Sequence, residues 1–176
     1  MTTFYLIRHG ETSWKTEEII NAHARLKNHA PLTQKGINQL HETASDKRLM
    51  EADIIVSSPY TRALQSAAIL SRKLDKDLVV EYNLHEWLLD KYFEKKNVEE
   101  MYQIIDDFYK NKGKHPKQLD PVWESAESVK YRVHKVMERY KKFDKVILVC
   151  HQMIIKILTE DENITKEEIG FGSIFE

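Results

Sequence analysis

The chain has 176 residues, and its 27 basic and 28 acidic side chains give a formal net charge of −1. That length suits one domain with a core of its own, and the balanced charge argues against a nucleic-acid binder. No apolar run approaches a membrane span and no signal-peptide pattern opens the chain, so we expect a cytoplasmic protein that does not bind membranes. The single cysteine, Cys150, has no partner for an internal disulfide and fits a reducing compartment.

Strand and helix patterns alternate along the first half of the chain. Residues 3–7 are apolar, aromatic and β-branched, which predicts a short buried strand. Thr33 is a good N-cap for a helix that runs through about Asp46. The next elements predicted are a strand at residues 52–56, a helix at 60–74 and a strand at 78–80.

Residues 88–123 carry no strand signal and are rich in aromatic side chains. Apolar residues at helical spacing predict a helix from about Val98 that ends near Gly113. We interpret this segment as a helical insertion over one end of the sheet, and hence as a lid on a pocket. Extra core packing is the alternative for any one of its aromatic residues.

The alternating pattern resumes after residue 123. The predictions are a helix that Ser125 or Glu124 opens and that runs to about residue 140, a continuous apolar strand at 145–149, a helix at 153–158 and a weak edge strand at 172–175. Alternating strands and helices predict an α/β fold, a three-layer sandwich whose mostly parallel central sheet is flanked by helices. We expect one domain over residues 1–176, including the helical insertion.

Residues suited to phosphate chemistry follow the predicted strands. Arg8 and His9 end the first strand, Arg62 lies just beyond the second, Glu86 follows the third and His151 follows the last. The carboxyl ends of parallel strands share one edge of a sheet, so these side chains can converge. Arginine binds anionic oxygens as a fixed fork, and an imidazole can attack or donate near pH 7. A structural role is the alternative for each residue alone, but together they favour phosphoryl transfer.

Other phosphate and metal chemistries lack their residues in this sequence. A cysteine-based phosphatase needs an arginine six positions after its cysteine, where Lys156 follows Cys150. A glycine-rich phosphate loop is absent. His85-Glu86 is not a zinc motif, because Leu89 stands where the second histidine would be. We therefore expect neither a metal nor a cofactor.

Several segments, in order, resemble signatures of the histidine phosphatase superfamily, which includes the cofactor-dependent phosphoglycerate mutases. They are RHGET at 8–12, PLTQKG at 31–36, SSPYTRALQSA at 57–67, LHE at 84–86, ES at 124–125 and VCH at 149–151. The resemblance runs from residue 4 to about 158. It implies that His9 becomes phosphorylated, that Arg8, Arg62 and His151 hold the phosphoryl oxygens, and that Glu86 is the general acid.

The chain departs from those signatures in places that bear on the substrate. Lys15 stands where the family often has asparagine, and Gln152 replaces a usual glycine. We take both as candidate substrate contacts, with a solvated loop lysine as the alternative for Lys15. The predicted function is hydrolysis of phosphomonoesters, with a small phosphorylated metabolite as the partner. The alternatives are a phosphoglycerate mutase-type phosphotransferase, a phosphohistidine protein phosphatase and a non-catalytic phosphate-binding protein.

Overall fold

A five-stranded sheet forms the centre of the fold in the computed structural model, which describes residues 1–14, 26–94, 96–159 and 171–176. The strands lie in the order β3-β2-β4-β1-β5, with β5 antiparallel to β1 and the other pairs parallel. Their bounds are β1 Thr3–Arg8, β2 Ile54–Ser57, β3 Leu78–Val80, β4 Lys145–Cys150 and β5 Ile174–Phe175. The mostly parallel sheet and the short edge strand predicted from the sequence are confirmed.

Six helices accompany the sheet in the described residues. They are α1 Gln34–Thr43, α2 Lys47–Met50, α3 Thr61–Leu74, α4 Val98–Lys110, α5 Ala126–Tyr140 and α6 Gln152–Thr159. The predicted caps are confirmed, since the Thr33 hydroxyl accepts from the N–H of Gly36 and the Ser125 hydroxyl accepts from that of Ser128. In the part of the chain described, none of the helices has the length and apolar character needed to cross a bilayer.

The helix predicted to run from Thr33 through about Asp46 is shorter than expected. It ends at Thr43, and a separate short helix follows it. The Asp46 carboxylate accepts from the N–H of Arg48, so Asp46 caps the start of α2. A residue whose side chain binds its own downstream backbone favours a helix start over a helix interior, which is why the helix is interrupted there.

The helices cover both faces of the sheet and create two hydrophobic cores. On one face α1 and α3 pack against alternate residues of β1, β2 and β4; the buried residues include Tyr5, Ile7, Leu40, Ile55, Ala63, Leu70 and Ile147. On the other face α5 and α6 pack against the remaining alternate residues; these include Leu6, Val56, Val129, Val133, Leu148 and Ile154. The alternation of side chains along each strand therefore gives the predicted three-layer sandwich.

Strand register brings the ends of β1, β2 and β4 to one edge of the sheet. Arg8 of β1 pairs with Cys150 of β4, and the N–H of His9 donates to the Cys150 carbonyl at 3.1 Å. On the other side of β4, the N–H of Ser58 donates to the Val149 carbonyl at 3.0 Å. The residues that follow these three strands therefore lie side by side.

The segment 88–123 is less helical than expected. Among its described residues only Val98–Lys110 is an α-helix. Phe108 packs against both Trp87 and Trp123, and all three join one core, as in the core-packing alternative. Leu88, Phe93 and Met101 instead line a cavity, as a lid would. The segment therefore contributes to both the core and the cavity wall, while its role as a lid and its status as an insertion into a single domain remain predictions.

Candidate active site

One ring nitrogen of His9 faces the site, and the other is held by a hydrogen bond to the backbone. Its Nδ1 lies 2.8 Å from the carbonyl oxygen of Gly10, which assigns the ring proton to Nδ1. Its Nε2 therefore carries a lone pair, and it accepts from Nε of Arg62 at 3.2 Å. Burial, with the charges of Arg62 and Arg8, lowers the pKa of His9 to about 3. The imidazole is thus neutral and available as a nucleophile at ordinary pH.

The turn after β1 is held by close backbone contacts. A Cβ on Gly10 would lie 2.5 Å from the Gly36 carbonyl oxygen, and a Cβ on Gly36 would lie 2.2 Å from that of Glu11. The Gly10 N–H donates to the Ser66 hydroxyl on α3 at 3.1 Å. Glycine at both positions lets the start of α1 approach the turn, and this contact positions His9.

His151 lies beside His9 and is fully buried. The two rings meet edge to face with their centroids 5.2 Å apart. Nε2 of His151 is 2.7 Å from the Ser58 hydroxyl, whereas Nδ1 has no hydrogen-bond partner among the described residues. Burial, then the charge of Arg62, holds the pKa of His151 well below its ordinary value.

Two guanidinium groups complete the cationic side of the site. Arg62, in the first turn of α3, is buried, and its Nη1 has no hydrogen-bond partner among the described residues. The rings of Trp14 and Tyr60 lie 5.1 and 5.0 Å from its Cζ. Arg8 stacks on the ring of Phe171, 4.0 Å from Cζ to centroid. Buried guanidinium groups stay charged and attract an anion strongly, because little water screens them.

Glu86 acts electrostatically on both arginines. Burial raises its pKa. The opposing influences are the N–H of Trp87, which donates at 2.8 Å, Arg62, the N–H of Met153 and Arg8. Burial prevails over these cations and donors. A carboxyl group with a raised pKa is suited to donate a proton.

A buried ion pair fixes the backbone that carries Glu86. Nε and Nη2 of Arg132 donate to the two carboxylate oxygens of Glu124 at 2.7 and 2.9 Å. The remaining N–H groups donate to the carbonyls of Asn83, His85 and Glu86, at 2.6, 2.8 and 3.3 Å. All five guanidinium donors are engaged. We call Glu124 and Arg132 the clamp.

A cavity of about 270 Å³ adjoins Arg62 and Glu86. Its described lining is Trp14, Lys27, Asn28, Tyr60, Arg62, Glu86, Trp87, Leu88, Leu89, Asp90, Phe93, Glu94, Lys96 and Met101. Lys15 lies outside the described residues. Gln152 begins α6 directly after His151 and is not part of that lining. The substrate contacts expected of these two residues remain predictions.

The structure thus brings together the five residues that follow the predicted strands. Sequence reasoning overlooked Arg132 and Phe171. Arg132 left a signal, since a charge on the buried face of α5 next to Val133 needs a buried partner. Phe171 left none, because it lies outside any periodic element.

Among the described residues, no group of three or more His, Cys, Asp or Glu side chains is arranged to hold a metal ion. What this site offers instead is neutral imidazole, fixed positive charge and one protonatable carboxyl group. On an α/β fold, these define a protein of the phosphoryl-transfer class.

Comparison with known proteins identifies the family to which the chain belongs within this class. Residues 4–166 match the model of the histidine phosphatase superfamily (branch 1), and the chain belongs to this family. A protein of Hydrogenobacter thermophilus named as a phosphoserine phosphatase is 31% identical over 157 residues, which cover 86% of this chain and 73% of the relative.

Two further similarities are to a protein named as a mutase and to the solved structure of a phosphatase. A protein of Enterobacter sp. (strain 638) named as phosphoglycerate mutase GpmB is 33% identical over 86 residues, 49% of this chain and only 38% of that relative. The solved structure of a mycobacterial glucosyl-3-phosphoglycerate phosphatase superposes with a TM-score of 0.66 at 20% identity, covering 97% of this chain and 87% of that one. This second likeness concerns the fold alone.

Proposed function

We propose that the protein hydrolyses phosphomonoesters of small metabolites through a phosphohistidine on His9, without a metal ion. The observation that carries the proposal is the placement of Nε2 of His9. This nitrogen holds a lone pair beside the buried Arg62 and His151, whose Nη1 and Nδ1 have no hydrogen-bond partner in the described part of the chain. Donors arranged around a nucleophile are what a phosphoryl group requires.

In the first step Nε2 of His9 attacks phosphorus, and the bond from phosphorus to the ester oxygen breaks. The electron pair of that bond stays on the departing oxygen, which takes the proton of Glu86. Arg8, Arg62 and His151 hold the phosphoryl oxygens. The Nδ1–H donated to the Gly10 carbonyl stabilises the positive charge on the imidazole after attack.

In the second step water attacks the phosphohistidine. The Glu86 carboxylate takes a proton from the water, the bond from nitrogen to phosphorus breaks, and its electron pair returns to Nε2 of His9. Inorganic phosphate leaves, and both His9 and Glu86 regain their starting protonation states. One carboxyl group thus acts as acid and then as base.

Trapping the phosphoenzyme tests the role of His9. The wild-type protein, mixed with a ³²P-labelled phosphomonoester and quenched in alkali, should retain label that acid then releases, as phosphohistidine does. His9→Gln should retain no label and release no phosphate. His41→Gln is the matched control, because His41 is exposed on α1 and should label normally. Label on the folded His9→Gln protein contradicts the proposal.

Chelation tests the metal independence of the reaction. Phosphate release should be unchanged after prolonged treatment with EDTA, and vanadate should inhibit it by taking the place of the phosphoryl group. A rate that EDTA abolishes and a divalent ion restores contradicts this part of the proposal.

A phosphoglycerate mutase-type phosphotransferase is the second candidate, and the similarity to GpmB is what favours it. A mutase keeps the phosphoryl group away from water and returns it to a second hydroxyl. Phosphoglycerate labelled with ³²P distinguishes the two functions. A phosphatase yields inorganic phosphate, whereas a mutase yields the isomeric phosphoglycerate.

A further inference from the structure

The cavity beside Arg62 and Glu86 lies where the alcohol part of a phosphomonoester would sit, since Glu86 faces the departing oxygen in the proposed reaction. We propose that this cavity selects an alcohol that carries an aromatic ring and no second anionic group. This inference rests on the proposed function and narrows it to one class of substrate.

Apolar side chains dominate the walls of the cavity. In the described lining they are Trp14, Tyr60, Trp87, Leu88, Leu89, Phe93 and Met101. The rings of Trp14 and Tyr60 also flank the Arg62 guanidinium, so aromatic surface begins directly beside the phosphate-binding residues. A planar apolar group bound there would stack on rings and be removed from water, which stabilises the complex.

The charged residues of the cavity largely neutralise one another. Nζ of Lys96 lies 2.8 Å from Oε2 of Glu94 and 3.4 Å from Oδ2 of Asp90. Apart from Arg62 and Lys96, the described lining has one further cation, Lys27, which is exposed. Because Lys96 is engaged by Asp90 and Glu94, it offers little positive charge to a substrate carboxylate, so substrates of the phosphoserine or phosphoglycerate kind are disfavoured.

The position of the Phe93 ring is enforced by the backbone. Phe93 adopts a left-handed conformation with φ 57°, which is uncommon for a bulky side chain. The buried Asp90 holds this turn, because its carboxylate accepts from the N–H groups of Tyr92 and Glu94, at 2.8 and 3.1 Å. This turn therefore holds the Phe93 ring at the cavity wall.

Three phosphate esters of unactivated primary alcohols test the selectivity. They are 2-(2-naphthyl)ethyl phosphate, ethyl phosphate and phosphoserine. We expect kcat/KM for the naphthyl ester to exceed that for ethyl phosphate by about tenfold or more, a difference of about 1.4 kcal/mol. Phosphoserine should fall below ethyl phosphate. A preference for phosphoserine over the naphthyl ester would overturn the inference and leave the phosphatase proposal standing.

Phe93→Gly isolates the contribution of the ring, since glycine accepts the same φ without strain. This variant should lower kcat/KM for the naphthyl ester about fivefold or more relative to its effect on kcat/KM for ethyl phosphate. Tyr92→Ala is the matched control, because Tyr92 is 58% exposed and does not line the cavity. Equal losses for both esters in Phe93→Gly, or equal effects of the two variants, would overturn the inference.

Binding of the corresponding phosphonates, which are not hydrolysed, keeps the inference testable apart from turnover. Calorimetry should show tighter binding of 2-(2-naphthyl)ethylphosphonate than of ethylphosphonate. If none of the three esters releases phosphate, the phosphatase proposal fails. The comparison of the two phosphonates then tests the selectivity of the cavity by itself, and equal binding of both would overturn the inference.

Discussion

The buried His9 imidazole links the stability of the protein to pH. The unfolded chain holds this proton with a pKa of about 6.5, whereas the pKa of the native imidazole is about 3. Between those values the unfolded state binds a proton that the native state does not. Stability is therefore lost as pH falls through this window, by up to about 1.4 kcal/mol per pH unit.

The substitution His9→Gln should reduce the loss of stability that accompanies a fall in pH. Urea unfolding at pH 6.5 and 4.5 should show a difference in unfolding free energy that is smaller in the variant by about 2 kcal/mol. His151, whose pKa burial also lowers, is present in both proteins and so cancels from the comparison. An identical pH dependence in the two proteins would show that His9 does not titrate between these limits.

Glu86→Gln should separate substrates by their leaving group. Glutamine cannot donate a proton, so phosphoenzyme formation from an alkyl phosphate should slow by about 10²–10⁴-fold. p-Nitrophenyl phosphate should be affected much less, because its phenolate departs unaided. Single-turnover rates for both substrates make the measurement, since slow dephosphorylation can mask the effect in the steady state. Equal losses would assign Glu86 to orienting the site or the water.

At the scale of elements, the clamp joins the start of α5 to the loop that carries Glu86. Arg132→Lys retains the charge but cannot reproduce five fixed donors. We expect turnover of an alkyl phosphate to fall about tenfold or more, with a smaller loss for p-nitrophenyl phosphate, because the acid is displaced. A merely structural role would lower both rates together.

Arg139→Lys is the matched control for the clamp. Arg139 lies on the same helix and also binds a carboxylate through Nε and Nη2, that of Glu81, but on the exposed surface. Its replacement should leave both rates unchanged. Exposed ion pairs contribute at most about 1 kcal/mol, whereas breaking a buried pair costs about 3–5 kcal/mol, so only the clamp variant should also unfold more easily.

Elements that depend on local signals were predictable from the sequence. Apolar runs gave the strands, and Thr33 and Ser125 gave two helix starts, because a cap acts on N–H groups two or three residues away. The break before α2 was missed although Asp46, a good cap, was present. The convergence of His9, Arg62 and His151 followed from parallel strands sharing one edge.

Contacts between distant parts of the chain left no comparable signal. The clamp binds carbonyl groups that lie far from Arg132 in sequence, and backbone carbonyls carry no residue-specific pattern. The stacking of Trp14 on Arg62 comes from a loop, which has no periodicity to read. Loops and tertiary contacts therefore decide the parts of the site that bear on the substrate.

At the scale of the whole molecule, the segment just before β5 lies against the end of β1 at the active site. β5 pairs with β1, the Gly172 N–H donates to the Arg8 carbonyl at 3.0 Å, and the Phe171 ring stacks on Arg8. The same ring lies 5.8 Å from that of His9, centroid to centroid. Phe171 therefore restrains the guanidinium from the side away from β4.

Phe171→Leu should weaken the binding of anions. Leucine fills similar space but lacks the π-system, and a stacked cation is worth about 0.5–2 kcal/mol. The inhibition constant of inorganic phosphate should rise about 3–30-fold. Phe175→Leu is the control, because Phe175 packs against the core on the far side of the sheet. An unchanged inhibition constant in Phe171→Leu would show that the ring covers the site without strengthening the binding of anions.

The pairing of β1 with β4 and β5 sets the order in which a ribosome can complete this site. Arg8 emerges well before its neighbours Cys150 and Ser173, which lie far downstream in the sequence. At about 5–20 residues per second, the nascent chain waits roughly ten to thirty seconds before these strands can pair. Until then β1 is an apolar segment without partners. We therefore expect activity only after His151 has emerged, and ribosome-bound fragments that stop before residue 151 should turn over no substrate.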